Sequence, residues 1–385
     1  MEGIKMSYLN LCINIILKVY KSLMNMSVTE LRLKGAYGKP DTLFLDANPE
    51  ILIKERIGRF NPFAVFVTEE TDNTNKQIWP RDKNPASQPV MFFSDPMDRS
   101  KYLAKFIDGK EDKTLLKDIL GKKGIVQCWE KIAGKPAIVT GSTCSITCVD
   151  KGSADFSVIL NIVTGHLFVS CAGGNIFFKL PGPDKDEEFC KINIDYLLKK
   201  GQPVIFPSSA DSHSSLEKQK RFVTYLGKAG YEENFRDSMI FLDDAAQHLH
   251  YQEPGGPSRI LYLSNFLKPS LGFILANGEK IGEWIHWLPF LRFSKNEQGD
   301  RALKIFEIAI ARPWTKNGIL MSTSPPYSLF SMGDGEAFLD MSRLRDLDTP
   351  SHYRSMILIT PYDNDAIIQI MVRTGYREVG ETLGT

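Results

Sequence analysis

The apolar positions of this chain recur with a helical period near its start and gather into short strand-like runs further on. Between Tyr8 and Met24 they lie three and four residues apart, which predicts an amphipathic first helix. A second helix is predicted over Asp46–Ile57, because this segment opens with acidic residues and a proline. The apolar runs Phe63–Val67 and Val90–Phe93 are short and uninterrupted, and they predict two buried strands.

The middle of the chain alternates apolar runs with glycine-containing turns, a pattern typical of an antiparallel meander. Two helices broken at Gly109 are predicted before it, over residues 99–123. The predicted strands of the meander are Ala137–Thr140, Ser145–Val149, Phe156–Asn161, His166–Cys171 and Ile176–Lys179.

The charged and turn-rich run Pro181–Glu188 predicts a domain boundary. We expect an N-terminal α+β domain over residues 1–183 and a C-terminal α/β domain over residues 184–385, in which strands and helices alternate. The strands predicted in the second domain are Pro203–Phe206, Met239–Leu242 and Leu271–Ala276, and the helices are Ser215–Ala229, Ser258–Phe266 and Trp284–Phe293.

Charge excludes several classes of partner. Lys and Arg total 47 against 46 Asp and Glu, so the net charge is +1 and no global field favours a nucleic acid polymer or an anionic membrane.

The first helix contains asparagines and lysines and is too polar to span a bilayer. The six cysteines form no CxxC pair, which disfavours a zinc site and favours a cytoplasmic location.

Acidic residues follow or open the predicted elements at three places. Asp46 opens the second helix, the pair Glu69–Glu70 follows the first strand, and Asp95 and Asp98 follow the next strand. Hard divalent cations require several carboxylate oxygens that converge on one point. The sequence therefore predicts a metal site assembled from the ends of these elements.

The segment Asp95-Pro96-Met97-Asp98 has a geometry of its own. Pro96 lacks an N–H and restricts φ, so we expect the chain to turn directly after the strand. The two aspartates then face one side, the main-chain carbonyl of Met97 is available to a metal, and Ser100 follows with a hydroxyl group.

These segments together resemble the signature of the lithium-sensitive, magnesium-dependent phosphatases of the inositol monophosphatase and fructose-bisphosphatase superfamily. In that signature a Glu-Glu pair precedes an Asp-Pro-(Ile/Leu/Met)-Asp-Gly-(Thr/Ser) turn, here Glu69–Glu70 and Asp95–Ser100. A helix start that carries an Asp and, four residues later, a Glu lies upstream, here Asp46 and Glu50. The resemblance covers about residues 36–180.

The resemblance implies a layered αβαβα sugar-phosphatase fold, with an N-terminal antiparallel sheet and a C-terminal α/β half, and a homodimer or homotetramer. It implies two or three Mg²⁺ ions, with Mn²⁺ as an alternative, and hydrolysis of a phosphate monoester by metal-activated water. The implied metal ligands are Glu69, Asp95, the Met97 carbonyl and Asp98, and the implied catalytic residues are Asp46, Glu70 and Ser100.

The chain departs from this signature at two places. Arg99 stands where the family has Gly; it either clamps the phosphate with its fork of donors or fills the pocket and blunts activity. The late Trp-Asp motif of the family is missing, and Glu283, at the predicted start of a helix, is the candidate for its metal ligand. Arg259, in the first turn of another predicted helix, is the candidate for contacts to distal substrate groups.

An inositol or sugar phosphate is the expected substrate, with a sugar bisphosphate and a 3′-phosphonucleotide as alternatives. A different class of function also stays open: a catalytically weakened relative that acts as a binding or regulatory module. His286, between Trp284 and Trp287, is interpreted as a helix residue beside an aromatic core.

Overall fold

The computed structural model describes residues 2–36, 43–68, 78–79, 90–98, 100–133, 141–180, 190–191, 274–280, 285–293, 303–309, 313–316, 319–322, 330–333, 336–339, 354–361 and 377–378. Its helices are α1 Glu2–Met24, α2 Val28–Arg32, α3 Phe44–Phe60, α4 Ser100–Ile107, α5 Leu116–Leu120, α6 Ile125–Ala133 and α7 Trp287–Phe293.

The strands of the first part of the chain are β1 Val65–Thr68, β2 Ile78–Trp79, β3 Val90–Asp98, β4 Thr143–Asp150, β5 Ser153–Asn161, β6 His166–Cys171, β7 Gly174–Lys179 and β8 Cys190–Lys191. They form one eight-stranded sheet in the order β2-β1-β3-β4-β5-β6-β7-β8. The pair β1–β3 is parallel and the other neighbours are antiparallel. The predicted meander is confirmed for the four strands β4 to β7, whereas the run 137–140 lies outside the described residues.

The strands of the last part are β9 Ile274–Lys280, β10 Leu303–Ala309, β11 Pro313–Lys316, β12 Ile319–Ser322, β13 Phe330–Gly333, β14 Glu336–Leu339, β15 Arg354–Pro361 and β16 Arg377–Glu378. Four of them form an antiparallel sheet in the order β16-β10-β15-β9, and the others form the hairpins β11–β12 and β13–β14. Together with the helices this is an α/β fold, as expected. The elements predicted over 203–266 lie outside the described residues.

Helices cover both faces of the large sheet. On one face α1 packs against β4 and β5, and α3 packs against α1 and β3; on the other, α7 packs across β5, β6 and β7. The predicted first helix is confirmed, and its apolar side belongs to the main core: Leu9, Ile16, Val19 and Leu23 are buried there. Tyr8 joins α1 to β3 through an edge-to-face contact with Phe92, with 5.4 Å between the ring centroids.

The helices that the structure describes are too short or too polar to cross a membrane. This holds for α1 in particular, the longest of them, because lysines and asparagines interrupt its apolar positions.

Replacement of a core aromatic on β3 tests this packing. Phe92 is fully buried under α1, so we expect Phe92→Ala to lower the free energy of unfolding by about 3–5 kcal/mol, through lost transfer energy and the cavity that remains. Phe63 is 71% exposed, and Phe63→Ala is the matched control, with an expected change within about 0.5 kcal/mol. Urea denaturation of both variants measures the difference, and equal losses would contradict the packing described.

A second prediction concerns pH and the turn between β5 and β6. Burial and the charge of Lys179 lower the pKa of His166 from 6.5 to about 4. Between these values the unfolded chain binds more protons at this residue than the folded chain, so stability falls as pH decreases from about 6.5 to about 4. A shift of this size corresponds to about 3 kcal/mol.

The variant His166→Gln removes the titrating group. We expect the wild type to lose about 3 kcal/mol more than His166→Gln when unfolding is measured by urea at pH 6.5 and at pH 4. Parallel losses in the two proteins would show that His166 does not resist protonation.

Candidate metal and active site

The candidate site lies on β3, where this strand runs between β1 and β4. Because β1 and β3 are parallel, with Thr68 beside Ser94, both chains run toward the same edge of the sheet. Their next residues are Glu69 and Asp95. Asp95 is 2% exposed, and Met97 is also buried, whereas Glu69 and Glu70 lie outside the described residues.

The expectation of a turn directly after the second strand is wrong. The strand β3 continues through Asp95, Pro96 and Met97 to Asp98, and an irregularity in the pairing with β4 accommodates the proline. Asp95 pairs with Ser145 and Asp98 with Thr143, so β3 has one more residue than β4 over this interval. A β-bulge removes the need for an N–H at Pro96 and changes the direction of the side chains that follow.

The predicted catalytic residues of this region lie on two helices. Ser100 is the first residue of α4 and follows Asp98 after one intervening residue. Asp46 is buried in the first turn of α3, the helix that packs against β3. Glu50, one turn later on α3, is also buried and forms an ion pair with Lys54. The helix begins two residues before the predicted start and ends three residues after the predicted end.

Three other predicted site residues lie outside the described part of the chain: Arg99, Arg259 and Glu283. The helix that Glu283 was predicted to open begins at Trp287 instead of Trp284. The residue directly before this helix is therefore His286.

Hydroxyl groups surround the acidic end of β3. Ser94 Oγ donates a 2.8 Å hydrogen bond to the carbonyl of Ser145. Thr68 and Thr143 are buried, and their hydroxyl oxygens have no hydrogen-bond partner among the residues that the structure describes. Carboxylates with neighbouring hydroxyl oxygens form a hard donor set of the kind that Mg²⁺ and Mn²⁺ accept. Among the described residues, Asp95 and Asp98 have the oxygen chemistry for such an ion, and no three His, Cys, Asp or Glu side chains converge closely enough to hold one by themselves.

The electrostatics at Asp95 also affect a thiol. Cys144 is fully buried on β4, and burial, followed by the negative charge of Asp95, raises the pKa of its thiol well above the usual value. The thiol therefore stays protonated at neutral pH and is no candidate for a nucleophile.

Three residues of the region were missed by sequence reasoning. Ser145 Oγ lies 3.4 Å from both the amide nitrogen and the carbonyl oxygen of Asp95. His286 is fully buried; its Nε2 lies 3.0 Å from Ser145 Oγ, and its Nδ1 is hydrogen-bonded to Thr147 Oγ1. The interpretation of His286 as a helix residue is wrong. The sequence signal for these contacts was a histidine within an apolar run, because a buried imidazole requires polar partners.

Two threonines on β4 provide a matched test of these contacts. Thr147→Val breaks the hydrogen bonds to Ser157 and His286, and we expect it to destabilise the chain by about 1–3 kcal/mol. Thr143→Val removes a buried hydroxyl group without a partner among the described residues, so we expect no loss of stability or a small gain.

Urea denaturation without added divalent cation measures both threonine variants. Equal destabilisation would show that the hydroxyl group of Thr143 is hydrogen-bonded in the folded chain. Its oxygen would then not be available as a metal ligand.

No family model matches the sequence, and no curated protein matches it. Among solved structures, the chain is similar to extragenic suppressor protein SuhB from Bartonella henselae, with 10% identity, a TM-score of 0.44, and coverage of 96% of this chain and 98% of that one. It is similar to inositol monophosphatase from Anabaena (Nostoc) sp. PCC 7120, with 12% identity, a TM-score of 0.44 and 96% coverage of both chains.

A third similar structure is CysQ from Bacteroides thetaiotaomicron, a bacterial member of the inositol monophosphatase family. It shares 13% identity over 78% of this chain and 88% of that one, with a TM-score of 0.45. At identities and scores of this size, what the chain does has to be inferred from its own residues.

Proposed function

We propose that the chain is a magnesium-dependent phosphomonoesterase that acts on a small phosphorylated metabolite. The observation that carries the proposal is the parallel register of β1 and β3, in which Thr68 lies beside Ser94. Chains that leave parallel strands do so at the same edge of the sheet, where α/β proteins bind their ligands. This register supports a site in which Glu69 joins Asp95 and Asp98.

The metal ligands in this proposal are Glu69, Asp95, the Met97 carbonyl and Asp98, with Glu283 as a further candidate. Two or three Mg²⁺ ions, or Mn²⁺ in their place, would neutralise phosphate charge and lower the pKa of a bound water. Burial strengthens the interaction of Asp95 with a cation, because the surrounding medium screens charge less than water does.

The other residues of the proposed site bind the phosphate and orient the attacking water. Ser100 opens α4, and its hydroxyl group is proposed to hold a phosphate oxygen or a water together with the N–H groups of the first helical turn. Asp46, from the buried start of α3, is proposed to accept a hydrogen bond from the attacking water together with Ser100, and Glu70 assists. No covalent nucleophile is needed, and positioning and electrostatics supply the acceleration.

The substrate class is an inositol or sugar phosphate, with a sugar bisphosphate or a 3′-phosphonucleotide as the alternatives. Arg99 and Arg259 are the proposed contacts to phosphate and to distal groups. A bisphosphate requires a second set of basic donors for its second phosphate. Hydrolysis of a bisphosphate would therefore indicate that these arginines lie near the site.

Release of inorganic phosphate tests the proposal. We expect the full chain to hydrolyse at least one compound from a panel of inositol, sugar and nucleotide phosphates when Mg²⁺ is present, and not in excess chelator. Asp95→Asn is expected to lower this rate by more than about 100-fold, because even partners that only orient a metal ligand contribute 10–100-fold.

Asp108→Asn is the matched control, since the carboxylate of Asp108 is 85% exposed, forms a surface ion pair with Arg32 and accepts a hydrogen bond from the neighbouring amide of Gly109. We expect this variant to keep the wild-type rate. No turnover on the whole panel, together with no heat of Mg²⁺ or Mn²⁺ binding in calorimetry, would sink the enzyme proposal and favour a binding module.

A further inference from the structure

A line of buried hydrogen bonds connects β3 to the start of α7. It runs from the main chain of Asp95 to Ser145, then through the imidazole of His286 to Thr147 and Ser157. All four side chains in this line are fully buried. His286 is 141 residues distant from Ser145 in sequence, so the line joins distant parts of the chain.

The directions of the bonds assign the tautomer of the ring. Thr147 Oγ1 donates its single proton to Ser157 Oγ, at 3.0 Å, so it can only accept from His286 Nδ1. In a neutral ring Nε2 then accepts, and the proton comes from Ser145 Oγ. With its proton engaged, Ser145 Oγ is left to accept from the Asp95 amide.

The contact to Asp95 lies next to the irregularity in the pairing of β3 with β4. Asp95 is the last residue that pairs regularly with β4 before the bulge, and Pro96 has no N–H to donate. A hydroxyl group at this position holds the strand immediately before the bulge that orients Asp98. While Ser145 Oγ accepts from this amide, its proton has two acceptors within reach, and His286 Nε2, at 3.0 Å, is nearer than the carbonyl oxygen of Asp95, at 3.4 Å.

Contacts other than those of His286 also hold α7 against the sheet. Arg292, near the other end of this helix, is bonded to Ser153 Oγ, to the carbonyl of Ala154 and to the carboxylate of Asp155, the last two at 3.3 Å. The helix also packs across β5, β6 and β7. We therefore expect the helix to stay in place when the bonds of the imidazole ring are changed.

We propose that His286 is a positioning residue for the metal site: through Ser145 it fixes the main chain of Asp95, and with it the carboxylate offered to the cation. The importance of this contact for metal binding rests on the proposed function. Groups that orient a metal ligand typically contribute 10–100-fold to metal affinity.

Two substitutions of His286 distinguish the contribution of its Nε2 contact from that of its Nδ1 contact. His286→Gln places an amide oxygen near the former Nε2, where it accepts the Ser145 proton. His286→Asn places its amide near the former Nδ1, so that it retains only the Thr147 contact. Ser145→Ala removes the contact to Asp95 directly and serves as the reference for its complete loss.

The first measurement is hydrogen exchange at the Asp95 amide, followed by NMR in the metal-free full chain. We expect faster exchange in His286→Asn and Ser145→Ala, by about 10-fold or more, and near wild-type exchange in His286→Gln. The second measurement is Mn²⁺ affinity by calorimetry, which we expect to weaken by about 10–100-fold in the first two variants and to be largely retained in the third. Thermal unfolding of each variant is recorded alongside.

The outcomes distinguish this inference from the proposed function. Unchanged Asp95 exchange in all variants overturns the inference, while Mn²⁺ binding by the wild type leaves the proposed function intact. The inference is also wrong if the Mn²⁺ affinity of the two His286 variants changes in proportion to their thermal stability, whether or not the Ser145 contact is kept. The role of His286 is then merely structural. If the wild type binds no Mn²⁺, the proposed function fails, and the link from His286 to a metal fails with it, whatever the exchange data show.

Discussion

The parallel pairing of β1 with β3 is the constraint on which the candidate site depends. Most of the large sheet is antiparallel, and antiparallel neighbours carry successive chain ends to opposite edges. Among the described strands of this sheet, the one parallel pair directs two chains toward the same edge, with Thr68 beside Ser94. In sequence, Glu69 directly follows Thr68 and Asp95 directly follows Ser94.

The second determinant of the site is the polar face of β4. Cys144, Ile146 and Cys148 belong to the main apolar core beneath α1. Side chains alternate along a strand, so Thr143, Ser145 and Thr147 lie on the opposite face. One strand therefore anchors the core with one face and offers a buried row of hydroxyl groups with the other. His286 is hydrogen-bonded to two residues of this row, Ser145 and Thr147. The residues on either side of the β3 bulge, Asp95 and Asp98, pair with Ser145 and Thr143 of the same row.

Much of the fold follows from local pattern. The helical period of α1, the β4–β7 meander and the two buried runs that became β1 and β3 were all predicted, with ends that shift by a few residues. These predictions succeed because burial of apolar side chains and the twofold or 3.6-residue periods are local properties. The extension of β3 through Pro96 was not predicted, because a bulge depends on the neighbouring strand and a proline by itself favours a turn.

The sequence alone determined which residues are chemically able to form the site: paired carboxylates, a hydroxyl group after them, and an acidic helix start. Only the tertiary structure decided how Asp95 and Asp98 are presented, and that Ser145, Thr147 and His286 stand behind them. The reason is physical. A carboxylate's donor chemistry is a property of the residue, whereas strand register, the bulge and a hydrogen bond across 141 residues exist only once distant segments have packed together.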